Sequence, residues 1–115
     1  MLTLELHQFR SEILAQGVAS RDHFAFVCPR CSLVQSAHDW MTATGQTFEQ
    51  IEGFLAFSCI GRHVDGIGCH WTLGGLLRIH QLEVRTPDGQ MHPRFMPATP
   101  EQAIAHQRKN LRVPA

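Results

Sequence analysis

The chain has 115 residues, and its ten basic and ten acidic side chains cancel. That length is sized for one domain with a modest core, so residues 1–115 are read as a single unit. Apolar runs of only a few residues leave no transmembrane span or signal-peptide core, which predicts a cytoplasmic setting, and a formal charge of zero is a poor footprint for non-specific nucleic-acid binding.

Leu2, Leu6, Phe9 and Ile13 recur at spacings of four, three and four, predicting a helix from about Thr3 to Gln16 that Gly17 ends in a left-handed conformation. Arg21 and Asp22 lie in a short loop before strand Phe24–Val27, which forms a hairpin with Leu33–Gln35. Ser36 to Asp39 and Thr47 to Gln50 look like helix starts, the second fitting a capping box. They predict short helices at about Ala37–Thr44 and Phe48–Gly53, with Trp40 and Met41 in the core. Gly61 to Gly68 contains three glycines and reads as a flexible loop. Leu73, Leu76, Leu77 and His80 fall at helical spacing, so a helical turn is expected to pass into a strand near Gln81. Pro87-Asp88-Gly89 is a turn signal that makes Leu82–Thr86 and Gln90–Phe95 a hairpin with Glu83 and Arg85 on its exposed face. Thr99-Pro100-Glu101-Gln102 starts a last helix, Pro100 to about Asn110, with Ala103, Ile104 and Leu111 as its apolar side. Arg108, Lys109 and Arg112 gather at its end, where cations favour the helix dipole.

The four cysteines are the most informative residues. Cys28-Pro-Arg-Cys31 is a tight turn that delivers two thiolates to one ion, and Cys59 and Cys69 are the suppliers of the other half of a tetrahedron. The gap of 27 residues between Cys31 and Cys59, and of nine between Cys59 and Cys69, departs from a simple finger. The expected class is therefore α+β: a small zinc-ribbon-like domain with an insertion, built of β-hairpins and flanking short helices around one Zn2+. A redox dithiol needs its first thiolate at a helix N-terminus, whereas Ser32 to Ser36 alternates as a strand does. A zinc deaminase needs a His-x-Glu, and the chain has none. His63 and His70 lie near the second cysteine pair, and His63 is the better substitute should Cys59 be merely buried.

No catalytic motif accompanies this set: there is no Gly-x-Ser-x-Gly, no His-Glu-x-x-His and no tyrosine. Four thiolates fill the shell of a zinc ion and leave no position for substrate, so a structural metal and a non-enzymatic protein are expected. Cys28-Pro-Arg-Cys31, Cys69 to Leu76 and Leu82 to Gly89 with His92 to Phe95 resemble small proteins of unknown function encoded by phages and prophages of Proteobacteria. The resemblance implies an accessory protein in the cytoplasm of the bacterial host, acting by protein–protein binding on a host or phage protein, including a host defence component such as a CRISPR effector. The metal-side residues Arg62, His63 and Trp71, with the Gly61–Gly68 loop, are the candidate contacts for such a partner. The alternative is a nucleic-acid-binding zinc ribbon using Arg78, Arg85, Arg94, Arg108 and Lys109, which would need these residues on one face.

Overall fold

In the computed structural model, which describes residues 2–73 and 79–111, the chain opens as a strand rather than a helix. Strand β1 is Leu2–Glu5 and helix α1 is Leu6–Leu14, correcting the single helix expected from Thr3 to Gln16. Leu2-Thr3-Leu4-Glu5 satisfies a period of two as well as a period of four, and a tertiary partner decides between them. That partner is β4, Leu82–Arg85, which pairs in parallel with β1 from Leu2 opposite Leu82 to Glu5 opposite Arg85. Leu4 and Val84 face each other in the core, and Arg85 forms an ion pair with Glu5 across the ladder. On the other side of β4, Glu83 and Arg85 lie opposite Pro93 and Met91 of the returning strand, as expected, so Arg85 has neighbours in both flanking strands. Gln8 accepts a hydrogen bond from the Glu5 backbone at 2.8 Å, which marks the start of α1, and Gly17 is left-handed at φ +74°.

Two three-stranded sheets result among the described residues, one ordered β1-β4-β5 and the other β3-β2-β6. In the second, β2 (Ala25–Val27) and β3 (Val34–Ser36) form an antiparallel hairpin within one residue of the expected bounds. Strand β6 (Met96–Pro97) closes its other side. In the first sheet, β4 turns through Pro87-Asp88-Gly89 into β5, Met91–Arg94. Helices α2 (Ala37–Thr44) and α3 (Phe48–Ile51) follow β3, each with a reciprocal cap at its start, Ser36 with Asp39 and Thr47 with Gln50. Gly45 ends α2 in the left-handed region at φ +73°. Helix α4 is Pro100–Leu111, capped by Thr99 and Gln102. Ala103 is buried there, but Leu111 is 55% exposed and is not part of its inner face. The described residues thus make a small mixed domain of short sheets and short helices, compatible with the zinc-ribbon-like class.

The core runs through both sheets. Trp40, Ile51, Ile60, Leu82 and Phe95 are fully buried, and Cys28 and Cys59 belong to the same cluster. Buried Gln16, just after α1, fastens the end of that helix to the second sheet: its amide donates to the carbonyls of Ala25 and Ala98, and its oxygen accepts from the Ala25 N–H. The helical turn expected at Leu73 to His80 lies largely outside the described residues, as do Arg78 and Arg112. Among the described residues no helix is long and apolar enough to cross a membrane.

Candidate metal centre

The Cys28–Cys31 half is built by the β2–β3 hairpin. The Cys28 N–H donates to the Leu33 carbonyl at 3.1 Å, and the Ser32 N–H donates to the Cys28 carbonyl at 2.9 Å. Ser32 turns the chain in the left-handed region at φ +63°, which returns it to the ladder one residue later. Both thiols of the turn are thereby aimed the same way.

The other half is made differently. A short 3-10 turn, Ile60–Arg62, begins directly after Cys59, and the Arg62 N–H donates to the Cys59 carbonyl at 3.0 Å. Only one cysteine sits in this second turn. The chain then loops out and returns, and a bridge between Ser58 and Thr72 clamps the loop's two ends. The Cys59 N–H donates to the Trp71 carbonyl at 3.0 Å, and the two hydroxyls of Ser58 and Thr72 lie 2.8 Å apart. This clamp brings Cys69 back over Cys59. The loop expected from the glycines is present and mostly exposed, but its neck is packed, with Ile60 and Gly61 buried. A β-carbon at Gly61 would lie 2.3 Å from the Ile67 carbonyl oxygen and 2.6 Å from the Cys69 nitrogen, so only glycine lets the returning backbone pass.

The sulfur atoms of Cys28, Cys31, Cys59 and Cys69 all lie within 4.8 Å of one another. Cys28 Sγ is 3.7 Å from Cys69 Sγ, and Cys31 Sγ is 3.8 Å from Cys59 Sγ. Those separations are far beyond an S–S bond of about 2.05 Å. They equal the edges, about 3.8 Å, of a regular tetrahedron whose metal–sulfur bonds are about 2.3 Å long. Four soft thiolates in that shape fit a tetrahedral thiophilic ion, so the geometry by itself makes the cluster one that could hold a metal.

The surroundings prepare Cys59 for this role. Burial pushes its thiol up, but hydrogen bonds from the Cys69 and Gly61 backbone, the Gln35 amide and the Cys31 side chain outweigh it, and the pKa falls to about 7. Gln35 is the key neighbour that the sequence did not single out. Its side chain is buried, its Nε2 donates to Cys59 Sγ at 3.4 Å, and its Oε1 accepts from the Ile60 N–H at 2.8 Å. Burial pushes the thiols of Cys28 and Cys31 up, so at these two a bound cation would have to supply the charge that favours the thiolate. An apolar–polar alternation in β3 marks Gln35 as pointing opposite to Val34. Nothing local says that its face is the metal side.

Of the other residues weighed for this site, His63 and His70 lie outside the cluster. The His63 ring packs on Phe54 at 4.6 Å and on Trp40 at 5.0 Å, and His70 is exposed, its carbonyl accepting from Arg62 Nη1 at 3.3 Å. Trp71 is only 5% exposed and stacks on Phe95 at 5.8 Å, so it is a core residue with little surface to offer a partner. Arg62 and His63 are both exposed. Arg94 is half-buried, while Arg108 and Lys109 sit on the exposed side of α4.

No curated protein and no solved structure matches the chain. Residues 5–98 match a family described as VVA0879-like, whose function is unknown. That match takes in all four cysteines, the Ser58–Thr72 clamp and Gln35, and most of the chain besides; this protein belongs to the VVA0879-like family.

Proposed function

We propose that the centre holds one structural zinc and that the protein acts by binding a protein partner, with no chemistry of its own. Zinc is the tetrahedral tetrathiolate ion that adds no redox activity, and four protein sulfurs close its shell to substrate. The observation that carries the reading is the Cys59–Cys69 loop. Both of its ends are cysteines of the four-sulfur cluster, its neck is clamped at Ser58 and Thr72, and its outer part exposes Arg62, His63 and Ile67, the last at 44%. A loop pinned in this way loses little freedom when it docks, and more of the contact energy remains as affinity. Phe54, 37% exposed beneath His63, extends the apolar part of this surface.

Nucleic acid is the less supported partner. Arg85 is neutralised by Glu5, Arg94 is half-buried, and four thiolates around a divalent ion lower the formal charge by two. Of the cations weighed for nucleic acid, Arg108 and Lys109 are the exposed ones without an ion pair among the described residues. A phage or prophage origin and action on a bacterial defence component come to this reading from the resemblance of its motifs alone.

Elemental analysis should find one zinc per folded chain. In affinity capture from the natural host, a discrete protein should be retained by the native chain and lost with Ile67→Asp at unchanged melting temperature. Metal-free folded protein would overturn the zinc assignment. Tight, salt-sensitive binding to DNA or RNA in a mobility-shift assay would overturn the choice of partner.

A further inference from the structure

On the face formed by α1, the segment entering β2 and α3 lies a cleft of about 600 Å³ that shares no residue with the metal centre or its loop. Phe9 and Phe26 are buried in it, and Phe24 and Phe48 line it half-buried. Its volume lies within the range of small-molecule sites, about 300–1,000 Å³, which are mostly apolar with a few placed polar groups. The charged groups that line it are Arg10, Arg21 and Arg94 with Glu52.

The arginines are not equivalent. Arg21 pairs with Glu49 at 2.9 Å and lies over the Phe48 ring at 4.2 Å. Arg94 is half-buried, and burial pushes its pKa down. Its Nη1 donates to the Pro93 carbonyl at 2.7 Å and its guanidinium lies 5.8 Å from the Phe57 ring, but no carboxylate among the described residues pairs with it. A partly dehydrated cation with unused donors is costly until an anion meets it. Arg10 adds a second positive charge at the rim, whereas Glu52 opposes any ligand of high negative charge.

We propose that this cleft binds a small amphipathic monocarboxylate, with its apolar chain along the phenylalanines and its carboxylate on the Arg94 guanidinium. A single negative charge matches the single half-buried unpaired cation, and a carboxylate meets guanidinium through two parallel hydrogen bonds. The site goes beyond partner binding at the metal-side loop, with which it shares no residue.

Calorimetric titration of the metal-loaded full chain with decanoate, 1-decanol and decyltrimethylammonium tests it. Decanoate should bind at least about tenfold tighter than 1-decanol, and the cation should not bind. Arg94→Met should bring decanoate and 1-decanol to equal affinity. Leu14→Glu adds a carboxylate on the exposed rim of the cleft and should weaken decanoate about tenfold at unchanged melting temperature. Should Arg94→Met fail to fold, the decanoate-to-decanol ratio and the Leu14→Glu result still decide. Equal binding of acid and alcohol to the native chain, or no binding of either, overturns the proposal. So does an acidic apolar peptide that binds tightly where decanoate does not, an outcome that would give the cleft to a protein ligand.

Discussion

The two halves of the metal centre reach the same geometry by different routes. Cys28 and Cys31 are presented by a hairpin turn whose hydrogen bonds are all local, from Cys28 to Leu33. Cys59 and Cys69 are ten positions apart and meet only because a 3-10 turn, a buried glycine and a two-residue bridge fold the loop back. The first half is a motif, and the second is a small tertiary structure. The difference teaches where the site should be fragile. Side chains around the hairpin turn can vary, whereas the backbone around Gly61 cannot.

Removing the proposed zinc should break both halves together and have the largest effect. Structural zinc contributes about 10–16 kcal/mol in small domains, as much as the whole stability of a domain, about 5–15 kcal/mol. Because Cys28 and Cys59 sit inside the one core cluster, chelation or Cys28→Ser should abolish the cooperative melt and the near-ultraviolet circular dichroism. A chelated protein with an unchanged melting temperature would refute a structural role.

Gly61→Ala separates the halves. The added carbon meets only backbone atoms, at 2.3 to 2.6 Å, and these cannot swing aside. We expect a loss of about 4 kcal/mol or more, at the extreme of single substitutions, with metal affinity reduced in parallel. Arg30→Ala, on the exposed tip of the first turn, should change stability by no more than about 0.5 kcal/mol. Similar losses from the two substitutions would erase the distinction between the halves.

Gln35→Leu tests the strut that joins them, since Gln35 belongs to the hairpin but bonds to Cys59 and Ile60. Outer-shell partners of this kind are worth about 10–100-fold in metal affinity. The competition constant against a chromogenic chelator should shift by at least tenfold while the zinc stoichiometry stays at one. Unchanged affinity would make Gln35 a packing residue only.

The smallest effect concerns the polypeptide support behind the hairpin, which owes nothing to the ion. His23, just before β2, is buried, and burial together with the neighbouring His38 lowers its pKa. The unfolded chain then binds a proton more readily than the folded one, so this residue costs stability as pH falls below the ordinary histidine value, about 6.5. Between pH 7 and 5.5 the melting temperature of His23→Gln should fall less steeply than that of the native chain. Parallel slopes would show that His23 titrates alike in both states. Metal release in acid is common to the two proteins and cancels in the comparison.

Much of this architecture is legible in the chain itself because its signals are short-range. Capping pairs at Ser36, Thr47 and Thr99, the Pro87-Asp88-Gly89 turn and the Cys-Pro-Arg-Cys turn each act within four residues, and the elements they announce begin where expected. The four cysteines likewise single themselves out by chemistry, since a tetrahedral ion needs four soft ligands and no others are left over. What tertiary structure alone decided is everything that depends on a partner distant in sequence. Leu2 to Glu5 is compatible with helix or strand until β4 offers a free edge about eighty residues away. Gly61 looks like a flexible joint until the returning backbone at Ile67 and Cys69 presses on its α-carbon. Gln35 is one polar residue in a strand until Cys59 and Ile60 arrive beside it, and Trp71 is a surface candidate until Phe95 covers it. Local propensity fixes what a segment prefers by a fraction of a kilocalorie per residue, and burial and hydrogen bonding against a remote segment outweigh it.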